Sequence, residues 1–226
     1  MKPWTACLLF ASIGITHAQI SPNEQKVADQ GDAKAQLDIG ISYELAPPGR
    51  VDYPKAMEWY EKAASQGNAE AELHIGLLYD SGLGTPKDDR KAMEAFKKAS
   101  ALGSVEADGF VAALYLNGAE GTPQDYGKAM EWYKKAAAQG DAEAEYGIGD
   151  MYLKGQGVPQ DTAQALDWLK KAGDHGSYMA AMKLGHMYET GQGVPQDLNE
   201  ALKWFSKADN HMRAANTAPA VSPAPK

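Results

Sequence analysis

Histidines, cysteines and paired carboxylates are the side chains that most often run a reaction or hold a metal. Beyond residue 18 the histidines are His74, His175, His186 and His211. No two lie three or four residues apart, the spacing that sets two imidazoles on one helical face around an ion. The single cysteine, Cys7, falls in a segment expected to be removed, which leaves no thiol for a nucleophile, a disulfide or a zinc site. Ser-x-x-Lys, Gly-x-Ser-x-Gly, Lys-Thr-Gly and His-Glu-x-x-His are all absent; these are arrangements that activate a serine or a metal-bound water. Gly82-Leu83-Gly84, Gly155-Gln156-Gly157 and Gly191-Gln192-Gly193 lack the further glycine and the preceding strand of a dinucleotide site. The sequence therefore predicts no enzyme, no cofactor and no metal. What remains are carboxylates near apolar side chains, such as Glu70, Glu106 and Glu143 with Leu77 and Phe110, which suit a grip on another protein.

The elements that must position these residues follow from a repeat. Glycines at 31, 67, 103, 140 and 176 open five copies at spacings of 36, 36, 37 and 36, a period that means stacked supersecondary units. Directly after them stand Asp32, Asn68, Ser104, Asp141 and Ser177, all able to accept from the free N–H groups of a first helical turn. A second helix start follows at Asp52, Asp88, Asp125, Asp161 and Asp197, with Pro86, Pro123, Pro159 and Pro195 two residues before the last four, which blocks backward extension. Glycines 82, 118, 155 and 191 close the first helices of copies two to five, as left-handed end residues do.

The first helix carries a stripe of alanine (35, 71, 107, 144, 180), then Ile39, Ile75, Val111, Ile148 and Leu184, then Tyr43, Tyr79, Tyr115, Tyr152 and Tyr188, at helical spacing. Gly40, Gly76, Ala112, Gly149 and Gly185 sit beside it; a mid-helix glycine costs about 1 kcal/mol in propensity, so a close-packed neighbour is expected. The second helix repeats alanine (56, 92, 129, 165, 201), then Met57, Met93, Met130, Leu166 and Leu202, and then Trp59, Ala95, Trp132, Trp168 and Trp204. These columns predict core. Ala95 stands where the other copies have tryptophan, leaving a space that neighbours fill or that forms a pocket. Lys62, Lys98, Lys135, Lys171 and Lys207 form a column expected to be solvated near the helix C-terminus. His175 and His211 are expected to be ordinary surface residues.

The fold class predicted is all-α, an α/α solenoid of about five helix-turn-helix repeats. The expected division is a secretory signal peptide at 1–18, a capping helix at 19–30, repeats at 31–66, 67–102, 103–139, 140–175 and 176–211, and a disordered Ala/Pro-rich tail at 212–226. The leader rests on Lys2, the apolar run from Cys7 to Thr16 and the small residue Ala18, too short to span a bilayer. It predicts a periplasmic or secreted protein without membrane insertion. With the leader gone, 21 basic residues face 30 acidic ones, which disfavours nucleic acid and favours partners with a basic patch.

The phrase Ala-Glu-Ala-Glu-Tyr-Gly-Ile-Gly-Asp-Met-Tyr, then Gly-Gln-Gly-Val-Pro-Gln-Asp and Ala-Leu-Asp-Trp-Leu-Lys-Lys-Ala, resembles the Sel-1-like repeat, a relative of the tetratricopeptide repeat. The resemblance covers about residues 24–211. It implies a right-handed superhelix with a concave inner surface and a role in protein–protein interaction or assembly. Within that role it fits an envelope scaffold or regulator, or an immunity protein that blocks a toxic effector. The alternative is a hydrolase or binder acting on β-lactam or peptidoglycan-like substrates; the repeat cysteines of the relatives so described are absent here.

A partner would need a surface the core leaves free. Counted from each opening glycine, positions 4, 8, 9 and 12 keep their residue type, whereas 3, 7, 10 and 14 vary. At 100° per residue the two sets centre near about 110° and about 310°, on nearly opposite faces. In tetratricopeptide-like arrays the first helix lines the groove, so the variable stripe is the candidate binding surface: Glu70, His74, Leu77, Glu106, Phe110, Asn117, Glu143, Asp150, Lys183 and His186.

Overall fold

The computed structural model describes residues 20–217 apart from Pro48, with side chains to residue 213. The signal peptide expected at 1–18 and the tail beyond Thr217 lie outside the described residues. Helix α1 (Pro22–Asp29) precedes five hairpins: α2 (Ala33–Glu44) with α3 (Tyr53–Ala64), α4 (Ala69–Ser81) with α5 (Asp89–Ala101), α6 (Val105–Asn117) with α7 (Tyr126–Ala137), α8 (Ala142–Lys154) with α9 (Thr162–Asp174), and α10 (Tyr178–Thr190) with α11 (Leu198–Thr217). Among the described residues the only β-type pairing is one isolated bridge, Ala119 with Thr122. The fold is an all-α solenoid of helical hairpins. The chain divides into two compact units, residues 20–114 with 118–123, and residues 115–117 with 124–217.

Each expected cap is made. The side chains of Asp32, Asn68, Ser104, Asp141 and Ser177 accept from the amides of Ala35, Ala71, Ala107, Ala144 and Ala180. These acceptors satisfy donors that the first turn cannot. The alanines are the repeated ones, and the last four are fully buried, so a single column both receives the cap and packs. The second-helix aspartates cap likewise, for instance Asp52 to Lys55 at 3.0 Å and Asp161 to Gln164 at 3.0 Å.

One backbone bond closes every hairpin. The amide N–H of the second-helix cap donates to the carbonyl of the repeated tyrosine: Asp52 to Tyr43, Asp88 to Tyr79, Asp125 to Tyr115, Asp161 to Tyr152 and Asp197 to Tyr188, at 2.8–3.1 Å. Copy one, whose Pro-rich loop departs from the others in sequence, makes the same bond at 3.1 Å. The closing end of this loop is fixed by main-chain groups and not by the loop's side chains.

Core packing explains the glycine column. A Cβ on Gly76 would lie 2.5 Å from the Phe96 ring, and Gly40 and Gly185 face Tyr60 and Phe205 in the same way. In these three hairpins the two helices approach until an aromatic ring rests on bare backbone. In the first unit Ala28 of α1 joins Ile39 and Trp59 in one cluster, with Ala35 and Tyr43 packed against it. In the second, Tyr146, Leu169, Ala180, Leu184 and Met187 form another.

The last helix differs from the expected boundary. It continues to Thr217, into the segment assigned to the tail. The reason is at position 212, where the repeat period would place the next opening glycine and the chain has Met212. The opening glycines take left-handed backbone, as at Gly176 with φ 109°, which ends the helix before them. Met212 does not favour that conformation, and Arg213 pairs back to Asp209 at 2.9 Å, so the helix runs on.

Candidate binding surface

The stripe expected to be open is only partly so. In the first unit Glu70 and Glu106 are exposed, on equivalent positions of α4 and α6. Phe110, one turn after Glu106, is half-buried and stacks on Phe96 of α5 with ring centroids 4.9 Å apart. His74 is only 8% exposed and Leu77 only 7%. These two are corrected from surface to interior. Tyr60 of the preceding copy lies stacked on the His74 ring at 4.7 Å. Glu44, itself buried, takes a hydrogen bond from the Tyr60 hydroxyl and another from His74 Nδ1 at 3.0 Å through the same oxygen. A carboxylate only accepts, so Nδ1 is the donor. Burial pushes the Tyr60 phenol far above its ordinary range, with the nearby Glu44 charge acting in the same direction.

A rule emerges from these stacks. In the first unit the aromatic side chains that press on Gly40 and Gly76 of their own hairpins also meet the variable seventh position of the next copy. Tyr60 meets His74, Phe96 meets Phe110, and in the second unit Tyr133 fills the place beside Gly147, where a Cβ would lie 2.8 Å from the ring. Variation at that position reflects the ring beneath it as well as any ligand above it.

In the second unit Asn117 and His186 are exposed, while Lys183 and Glu143 are half-buried. Burial raises the proton affinity of the Glu143 carboxyl, an effect that the nearby Ser177 hydroxyl only partly counters. Asp150 is a second correction: it is buried, with Lys154 Nζ at 2.5 Å and Lys183 Nζ at 3.8 Å. His186 has Glu189 at 3.2 Å and the edge of Phe205 at 5.1 Å.

Sequence reasoning missed a second polar column. Glu145 is fully buried and is held by Lys171 Nζ and His175 Nδ1, each at 2.9 Å. His175 is thus no ordinary surface residue. In copy one the same two positions hold Gln36 and Gln66, bonded at 2.8 Å, with Gln36 also donating to the Ala28 carbonyl at 3.1 Å. Position five of the repeat is polar in four copies (Gln36, Glu72, Asp108, Glu145) and alanine at 181; that polarity next to the buried alanine column was the available signal. The lysine column is exposed at Lys62, Lys98, Lys135 and Lys171 and half-buried at Lys207. Lys62, Lys135, Lys171 and Lys207 lie over Trp59, Trp132, Trp168 and Trp204, at 3.6, 4.6, 5.0 and 5.0 Å from the ring centroids, within cation–π range. Lys98, whose copy has Ala95 in place of the indole, pairs with Glu94 at 3.1 Å. Ala95 itself is buried.

Among the described residues no group of three or more His, Cys, Asp or Glu side chains is placed to hold a metal ion. No described helix is long and apolar enough to cross a membrane. Repeated capped hairpins, each packing on the next through the same columns, define a helical-repeat protein.

The chain belongs to the Sel1 repeat family: the family's repeat matches residues 33–68, 69–104, 106–141, 142–177 and 179–208. These segments keep the expected period and begin about two residues later than the expected boundaries. Sel1 repeats are protein-interaction modules. A Sel1 repeat protein from Oxalobacter formigenes is similar at 33% identity over 82% of this chain and 74% of its own, with a TM-score of 0.77. The antigen c5321 of uropathogenic Escherichia coli, described as a protective antigen with an SLR fold, is also 33% identical; the match covers 83% of this chain but 40% of that one, with a TM-score of 0.71. The immunity protein Pa5087 from Pseudomonas aeruginosa shares the fold at 21% identity over 88% and 70% of the two chains, with a TM-score of 0.61. Among curated proteins no sequence matches.

Proposed function

We propose that this chain is a non-catalytic binding module of the periplasm or secreted space, delivered by a cleaved leader, that holds a protein partner on its first helices. Glu70 and Glu106 carry the reading: two carboxylates exposed at the same register of α4 and α6, with the half-exposed Phe110 one turn on. Such a surface takes a basic rim and one apolar anchor from the partner. The partner is a subunit of an envelope assembly, or a toxic effector that this chain neutralises. Affinity capture from a periplasmic extract, repeated with Glu106→Lys and Phe110→Ala together, tests it. The partner is expected to be lost with the double change while the protein stays folded. If every captured protein survives the change, the surface is misassigned. Intact-mass measurement of the exported protein is expected to place its first residue at Gln19.

A further inference from the structure

We infer that the outer face of α11 is a second docking surface, built to receive the leading helical hairpin of a different repeat protein. The face is apolar where it should be wet: Leu198 is 60% exposed and Leu202 is 66% exposed. Their equivalents in the earlier copies are half-buried or buried. The equivalent of Leu202 in copy four is Leu166, which packs on the cluster containing Ala180 and Leu184 of α10. Three equivalents of Leu198, namely Tyr53, Tyr126 and Thr162, lie against the second loop glycine of the following copy. A Cβ on Gly157 would lie 2.6 Å from Tyr126, and one on Gly193 would lie 2.7 Å from Thr162. The α11 face is therefore continuous in register with an interface that the fold already makes, and its complement is known from that interface. It is a helix with alanine, then leucine or isoleucine four residues on, then tyrosine four further, followed by Gly-x-Gly.

This chain's own copies of that helix do not supply the occupant. The stripe on α2, Ala35–Ile39–Tyr43, is covered by α1 through Ala28, so a second copy presents it closed. With Met212 in place of an opening glycine, the chain also does not turn to begin a sixth copy. The occupant is accordingly a separate protein whose array starts with an uncovered first helix.

A fluorescein-labelled peptide of residues 177–194, stapled on its solvent side to hold the helix, serves as the probe, titrated with the full chain by fluorescence polarisation. Saturable binding is expected. It should weaken at least tenfold in Leu198→Glu/Leu202→Glu, and equally when the peptide carries Leu184→Asp. Because both leucines are exposed, the variant should keep its circular dichroism and melting temperature, which separates lost docking from lost folding. No saturable binding, or binding that survives the double change, overturns the assignment. Sedimentation equilibrium provides the other arm: self-association abolished by the same change would give the face to a second copy and overturn the choice of occupant. Neither arm involves Glu106 or Phe110, so this surface and the first-helix surface fail independently.

Discussion

Glu145 is fully buried in the second unit, where Lys171 and His175 both reach it at 2.9 Å. Removing one partner of a buried pair leaves charge without compensation. Lys171→Met with His175→Ala is therefore expected to cost about 2–3 kcal/mol in urea unfolding, the low end because both partners are half-exposed and water can return. Glu145→Gln with His175→Gln recreates the Gln36–Gln66 pair of copy one and should cost less than that double loss. Glu143 makes a pH prediction. Burial raises its pKa above the ordinary 4.5, so its contribution to stability is full below that value and falls as pH rises through the folded pKa. Glu143→Gln should raise the melting temperature at pH 7, and the gain should vanish below pH 4. The caps Asp52, Asp125 and Asp161 have the opposite sign: backbone N–H donors lower their pKa, and their contribution is lost as acid protonates them. At this scale the caps were legible in the sequence, because a cap is a contact three residues long. The Glu145 pair was not, because its partners lie 26 and 30 residues away.

At the scale of the helix, two glycines in equivalent first helices should respond oppositely to alanine. Gly76 lies under the Phe96 ring, so Gly76→Ala forces ring or helix to move and should destabilise by about 1–3 kcal/mol. Gly109 has nothing within 4 Å of its missing Cβ, so Gly109→Ala should stabilise by up to about 1 kcal/mol, the propensity gain alone. Paired urea titrations check both. Reading the stripe as two opposed faces placed the fixed columns correctly and misplaced His74, Leu77 and Asp150. A helix on the surface of a globule has one buried side. A first helix in an array packs against the second helix of its own hairpin and against that of the hairpin before it, so its buried arc is wider than the fixed columns show.

For the molecule as a whole, a repeat array is stabilised by each hairpin and by its interfaces with its neighbours, and the ends are where this chain departs from its own pattern. One end is closed by α1, which lends Ala28 to the stripe of α2; the other is left apolar at Leu198 and Leu202. Sequence alone determined the period, the hairpins, their caps and the family resemblance, because all of these are written in residues within a few helical turns of one another. It also determined that the variable positions cluster, since periodicity alone gives their phase. Only the tertiary structure decided which variable positions reach solvent, because whether His74 or Phe110 is free depends on the ring that the preceding copy, 14 residues back in each case, lays against it. Packing between copies is a relation between distant side chains, and spacing along the chain does not encode it.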